Sequence, residues 1–509
     1  MFEPPEEFNV ADYFLDARVR EGRGDRVALR TDDGDWTYAE VQALANRWGN
    51  VLRDSGVLPE QRVLIGTLDS PDHVGALFGA LKIGAVPVMV NPFLRPEAIA
   101  YFFGYTGAVA AVTHMEVADP FLDAAPAARH LRAVLIADTE DTRVMVESAS
   151  PELENEPTHR DDPAIWLFSG GTTGHPKAVV QTHRAYANST ECYGKGVLGL
   201  TEDDVTISVP KLFFGYAMGT NLFFPFSVGA SCVLFPGKCT PEAIADRVER
   251  FRPTVLVNVP TMVQQMLGDA AIARRDFSSL RLATSAGEAL PVELHERWNR
   301  AFGVELLDGL GTAEMWHVFI SNRPGAVKPG TLGQVVPGFD VRVRDDHGRD
   351  LPDGETGWLW VRGGSRAIAY WRHQEKTEQA FRGEWYVSGD MITRDADGYF
   401  TYAGRGDDML KVSGKWLSPL EVENCLLEHA DVREACCVGV LEADGLTKPH
   451  AFVVPAKKPK DARALEEQLK AHVHDRLESY KVPRRVVVVD DLPRTHLGKV
   501  DRGRLRVAT

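Results

Sequence analysis

Between Trp166 and Val180 an apolar run breaks into Ser169-Gly-Gly-Thr-Thr-Gly-His-Pro-Lys177. The glycines let backbone N–H groups turn toward an anion, Ser169, Thr172 and Thr173 add hydroxyl donors, and Lys177 adds a positive charge. That is the chemistry of a phosphate cradle, and a nucleoside triphosphate is the expected occupant. The P-loop of other NTPases needs Gly directly before its lysine and Ser or Thr directly after it. Here the neighbours are Pro176 and Ala178, which excludes that arrangement. Further segments carry groups that can act on such a ligand. Asp308-Gly-Leu-Gly-Thr-Ala-Glu314 ends in a carboxylate, a hard oxygen donor suited to Mg²⁺. Ser285-Ala-Gly-Glu-Ala-Leu-Pro291, Tyr386-Val-Ser-Gly-Asp390, Gly404-Arg-Gly-Asp-Asp408 and Leu492-Pro-Arg-Thr-His-Leu-Gly-Lys499 add acceptors and cations. Each of these alone also reads as a turn, a strand-to-helix loop or a solvated basic tail.

The elements that must position these groups follow from periodicity. Thr37-Tyr-Ala-Glu40 is a capping box, opening a helix with Val41, Leu44, Ala45, Trp48, Val51 and Leu52 at helical spacing and a stop at Gly56. A helix is expected over residues 71–82 and another over 241–251, with strands at 63–65, 86–90, 108–112, 133–136, 205–209, 231–235 and 255–259. The glycine loop is expected to lead directly into a helix. This alternation predicts helix-covered parallel or mixed sheets. After Gly330 the pattern changes to short strands and turns, predicting a small β-rich subdomain at about 330–403. Residues 404–408 then read as a hinge. Ser418-Pro-Leu-Glu421 starts another helix, strands follow at 434–441, 450–454 and 485–489, and a helix from Asp461 carries Leu465, Leu469, Val473 and Leu477 on one face. The expectation is therefore an α/β chain, with a large N-terminal domain over 1–403 and a mobile α+β C-terminal domain over 409–509.

Composition narrows the function class. The chain has 509 residues, 44% apolar and 25% charged, and a net charge of −15, which opposes general binding to nucleic acid or to an anionic membrane. Six cysteines show no metal-ligand spacing and suit a reducing cytoplasm, and Cys436-Cys437, in an apolar run, reads as strand core. The acidic N-terminus is unlike a signal peptide, and no apolar run reaches membrane-spanning length. A cytoplasmic monomer or homodimer is expected.

In this order, the motifs resemble the adenylate-forming superfamily of acyl- and aryl-CoA synthetases over nearly the whole chain. The resemblance implies ATP, Mg²⁺ and coenzyme A as cofactors and co-substrates, and a small-molecule carboxylic acid as substrate. It assigns the triphosphate to Ser169, Thr172, Thr173, Gly174 and Lys177, the Mg²⁺ to Glu314, and the adenine and ribose side to Gly287, Glu288, Ala289, Asp308, Gly309, Leu310, Gly311 and Thr312. Asp390 would accept from the ribose hydroxyls, and Arg405 would also reach the nucleotide. Lys499 matches the lysine that bridges the substrate carboxylate and α-phosphate. Asp407 matches the position on which the C-terminal domain turns, and Lys411 and Gly414 lie in the segment that then faces coenzyme A.

The stretch from Val209 to Pro225 looks most like benzoate-CoA ligases. Phe214, Tyr216 and Ala217, with Gly311 and His317, are the expected acyl-pocket residues, and Phe213 is a further candidate. Tyr216 is expected against an aromatic ring, His317 either to orient the carboxylate or to read a ring substituent, and Phe223 and Phe224 to be core. Three positions depart from the superfamily pattern: Ala178 for glycine, Ala313 for threonine and Ser388 for threonine. The alternatives are an adenylation enzyme loading a carrier protein or another nucleophile, a ligase for a short or medium aliphatic acid, and a non-catalytic nucleotide-binding homologue.

Overall fold

The computed structural model describes residues 3–170, 175–406, 409–412, 415–442, 447–459, 461–494 and 500–507, with backbone alone at Lys411, Lys415, Trp416 and Val507. The chain groups into two compact units, Met1–Val341 with Val361–Val387, and Arg342–Trp360 with Ser388–Thr509.

The first unit is built on two large mixed sheets. One has seven strands, in the order Ala369–Tyr370, Lys177–Thr182, Pro163–Ser169, Val86–Met89, Arg62–Gly66, Ala110–Thr113 and Ala133–Ile136. From Pro163–Ser169 onward the neighbours run parallel, and the first two strands are antiparallel additions at one edge. The other sheet has nine strands with a parallel centre: Leu306–Gly311, Leu282–Ser285, Val255–Asn258, Val205–Ser208, Ser231–Val233 and Val27–Thr31. Parallel strands are covered on both faces, which is why they read as continuous apolar runs. Helix Tyr38–Asp54 carries the expected capping box and packs on Pro71–Lys82. A Cβ at Gly79 would lie 2.6 Å from the Gly49 nitrogen and 2.7 Å from the Ala45 carbonyl, so only glycine permits this approach of the two helices.

The glycine loop departs from expectation. It is followed by the strand Lys177–Thr182, antiparallel to Pro163–Ser169, and the helix begins only at His183. Val179 and Val180 are β-branched and pair with Leu167 and Trp166, so the segment belongs to the sheet. The segment that follows the glycine loop is therefore a strand of the sheet rather than a helix.

In the second unit, Val432–Leu441 pairs antiparallel with Thr447–Pro455, which pairs parallel with Arg485–Val488. Helices Pro419–Leu427 and Ala462–His474 supply Val422, Leu426, Leu465, Leu469 and Val473 to the core on one side of this sheet. Cys437 joins that core, while Cys436 packs with Phe452, Leu492 and Leu505 on the other side. Successive strand side chains alternate faces, so the adjacent thiols are core on opposite sides, and burial pushes the Cys437 thiol well above its usual range. The strand Phe400–Arg405 includes the first two residues of the 404–408 segment. Among the described residues no helix is long and apolar enough to cross a membrane.

Candidate active site

The first unit brings two of the sequence motifs onto one ring. Ser169 and Lys177 face each other across the last rung of the hairpin, so the loop between them is clamped at its base. Its exit is held by Tyr101, whose hydroxyl donates to the Pro176 carbonyl at 2.9 Å and whose ring stacks on His175 at 4.4 Å. Tyr105 stacks in turn on Tyr101 at 5.2 Å. The Lys177 ammonium lies 4.1 Å from the centre of the Tyr370 ring, and the Tyr370 hydroxyl donates to Glu314 Oε1 at 2.8 Å. A positive charge over a ring face is attracted by its quadrupole. One tyrosine thus spaces the loop lysine from the carboxylate. Sequence reasoning missed Tyr101, Tyr105 and Tyr370, because nothing in their spacing distinguishes them from core aromatics. Thr172, Thr173 and Gly174 lie outside the described residues, as do Asp407, Gly414, Lys499 and the side chain of Lys411.

Glu314 sits buried in the short turn Ala313–Met315. Its carbonyl accepts from the Ala367 N–H at 2.8 Å, and the Ala313 carbonyl accepts from Gln181 at 2.8 Å. Thr312 caps the turn by accepting from the Met315 N–H at 3.3 Å. Trp316 follows at φ 60° and ψ −45°, a conformation that side chains other than glycine rarely adopt. Such strain persists only where the surroundings enforce it, and active sites are where it concentrates. Here it reverses the chain, leaving Glu314 beside Tyr370 and His317 beside Tyr216. A Cβ on Gly311 would meet the His317 carbonyl at 2.7 Å, so glycine is required where the Leu306–Gly311 strand passes this reversal.

Next to this turn is a cavity of about 220 Å³, with walls that include Phe213, Phe214, Tyr216, Gly287, Gly311, Thr312, Trp316 and His317. Tyr216 is fixed by donating to Thr284 at 2.5 Å, and Phe214, half exposed, packs on Phe213 at 4.4 Å. The His317 Nε2–H donates to the Tyr216 carbonyl at 3.1 Å, while Nδ1 has no hydrogen-bond partner. Burial pushes the imidazole down to about 3 against the opposing pull of that hydrogen bond. The ring is neutral at physiological pH, its proton is committed, and it can neither pair with nor donate to a carboxylate. It can only accept.

Other expected site residues lie around this cavity or away from it. Ala217 is buried and Leu310 half-buried, and neither is among the cavity-lining residues. Phe223 is core, stacked on Phe14 at 4.5 Å, and Phe224 is buried edge-on to His317. Gly287 lines the cavity at φ 88°, whereas the exposed Glu288 accepts from the Thr261 hydroxyl at 2.7 Å and its N–H at 3.2 Å. Ala289 is half-buried and Gly309 buried. A Cβ on Gly309 would meet the Ile320 carbonyl at 2.8 Å. Asp308 is buried, and burial pushes its carboxyl up, against hydrogen bonds from Gly309 and Ser285 that pull it down.

Within the second unit, Asp390 and Arg405 are a cross-strand pair at 3.4 Å. Asp390 is buried and accepts from Ser388 at 2.5 Å and Tyr402 at 3.1 Å. The Ser388 hydroxyl therefore does what a threonine hydroxyl would do there.

Comparisons to known proteins give the family. The chain matches AMP-binding enzymes over residues 15–371 and the AMP-binding enzyme C-terminal domain over 421–499. It belongs to the AMP-binding enzyme family. Within that family it is 40% identical to a benzoate–CoA ligase of Thauera aromatica, over 99% of this chain and 97% of that one. The crystal structure of an anthranilate CoA ligase, AuaEII, in complex with anthranoyl-AMP superposes with a TM-score of 0.93 at 38% identity, covering 99% and 98% of the two chains. A benzoate CoA ligase from Burkholderia xenovorans LB400 superposes with a TM-score of 0.89 at 41% identity, covering 98% and 100%. The fold is accordingly that of this family's aryl-CoA ligases: a large domain of mixed sheets and helices, a β-rich subdomain and a small α+β C-terminal domain.

Proposed function

We propose that the protein activates a benzoate-type carboxylic acid with ATP and Mg²⁺ and passes the acyl group to coenzyme A. The observation that carries this reading is the aromatic-walled cavity beside Gly311 and Thr312. At about 220 Å³ it falls below the roughly 300–1,000 Å³ of pockets for drug-sized ligands, a size that favours one ring over a long alkyl chain. Its similarity to ligases named for benzoate and anthranilate supports the same class.

In the first half-reaction a carboxylate oxygen attacks the α-phosphorus of ATP, the bond to the bridging pyrophosphate oxygen breaks, and pyrophosphate leaves. Ser169, Thr172, Thr173, Gly174 and Lys177 hold the departing phosphates, and Lys499 bridges the carboxylate and α-phosphate as charge builds. Glu314 fits Mg²⁺ by its chemistry: Tyr370 occupies Oε1, which leaves Oε2 as a hard oxygen ligand. When bound, Mg²⁺ neutralises phosphate charge. Asp390 and Arg405 hold the ribose side, and Gly287 and Thr312 border the nucleotide where the cavity opens. The domain over 409–509 then turns on Asp407 within the 404–408 hinge, with Lys411 and Gly414 beside the incoming thiol. The thiol of coenzyme A gives up its proton to solvent as its sulfur attacks the acyl carbon, the carbon–oxygen bond to the phosphate breaks, and AMP leaves.

Pyrophosphate release assayed with benzoate, hydroxy- and aminobenzoates, cinnamate and aliphatic acids tests the proposal. Turnover with benzoates, and aryl-CoA formation once coenzyme A is added, are expected. Release with aliphatic acids alone, or with no acid, would end it.

A further inference from the structure

Two helices of the second unit bring together a ligand set that the proposed adenylation chemistry does not use. Cys425 ends a turn of the helix Pro419–Leu427, and Glu428 lies three residues on, where the helix stops. His472 comes from the last turn of Ala462–His474. Among the described residues, the Cys425 sulfur, a Glu428 carboxylate oxygen and one His472 ring nitrogen all lie within 4.8 Å of one another. The His472 ring is already oriented by a hydrogen bond from its Nε2 to the Cys425 carbonyl at 2.9 Å. His429 packs edge-on against His472 at 5.1 Å and screens one side.

We propose that Cys425, Glu428 and His472 form a binding site for a thiophilic divalent cation of the Zn²⁺ type, with solvent completing the coordination. Sulfur and imidazole ligands select such an ion over Mg²⁺ or Ca²⁺. Binding breaks the Cys425 S–H bond: the proton passes to buffer and the sulfur lone pair goes to the metal, with no change of oxidation state. Without a cation, burial and the charges of Glu428 and Glu421, partly offset by Arg476, together push this thiol up to about 11. The carboxylate is accessible as well, because its contact with Arg476 is an exposed pair at 3.5 Å, worth little in water. An ion there cross-links the two helices that cover the small sheet.

Titration of the full-length protein with Co²⁺ tests the site, because thiolate coordination gives a sulfur-to-cobalt charge-transfer band. The wild type should develop that band with one equivalent of cobalt, Zn²⁺ should abolish it, and Cys425→Ser should lack it although five other cysteines remain. Glu428→Gln, at an exposed position that leaves the core intact, should weaken cobalt binding at least about tenfold. It serves as the deciding variant should Cys425→Ser fail to fold by circular dichroism. Absence of the band in wild type, or an undiminished band in folded Cys425→Ser or Glu428→Gln, overturns the proposal.

Discussion

The proposed phosphate side and the proposed acyl side of the first unit are built on different terms. At the glycine hairpin and Glu314 the parts are backbone groups, hydroxyls and single charges, held by Tyr101, Tyr105 and Tyr370. The acyl cavity is instead a shape, enclosed by Phe213, Tyr216, Trp316 and a neutral His317. Chemistry constrains the residue types at the first, whereas volume and contour constrain the second. Damage to the phosphate side should therefore lower activity toward every acid alike, and damage to the acyl side should redistribute it among acids.

The largest effect is expected at Lys499. Lys499→Ala should reduce adenylate formation by about 10²–10³-fold for benzoates and any other accepted acid equally, in single-turnover pyrophosphate release. A loss confined to some acids would break the contrast. On the acyl side, Ala286 lines the cavity and is 5% exposed. Ala286→Phe should fill the space and raise KM for benzoate by on the order of tenfold or more, as expected for about 1–3 kcal/mol of overpacking. ATP binding measured by calorimetry should be unchanged. If ATP affinity fell in step, the two regions would not be separable.

A third test uses the buried imidazole. His317 is held at about 3 in the folded chain, below its unfolded value of about 6.5, so the unfolded state binds the proton first. Its contribution to stability is complete above about 6.5 and is lost as pH falls toward 3. His317→Gln keeps a donor for the Tyr216 carbonyl and removes the titration. Between pH 7 and 5 it should lose less stability than wild type by up to about 2 kcal/mol, measured by denaturant unfolding. An identical pH dependence would show that the ring is not buried neutral. The smallest effect is expected from Tyr370→Phe, which keeps the ring beside Lys177 and removes the 2.8 Å hydrogen bond to Glu314. The expected cost is about 1 kcal/mol, a fall of roughly fivefold in kcat with every acid.

The same contrast explains what the sequence discloses. The capping box at Thr37, the helices over 71–82 and 241–251 and the small sheet's strands were legible, because each rests on local spacing. The strand after the glycine loop was not, because a run as short as Ala178-Val-Val180 takes its state from the partner strand it pairs with. The motif singles out Glu314 as a candidate ligand. Tyr370 was not legible, since its role comes from a two-residue strand, Ala369–Tyr370, pairing with Val179 and Val180. Nor does a sequence pattern reveal that the Trp316 reversal commits the His317 proton to the Tyr216 carbonyl.

The most direct test is a crystal structure of the protein with benzoyl adenylate. The account predicts the ring inside the cavity, between Tyr216 and His317, with its phosphate beside Thr312. A ring bound elsewhere, with the cavity closed by its own side chains, would contradict it.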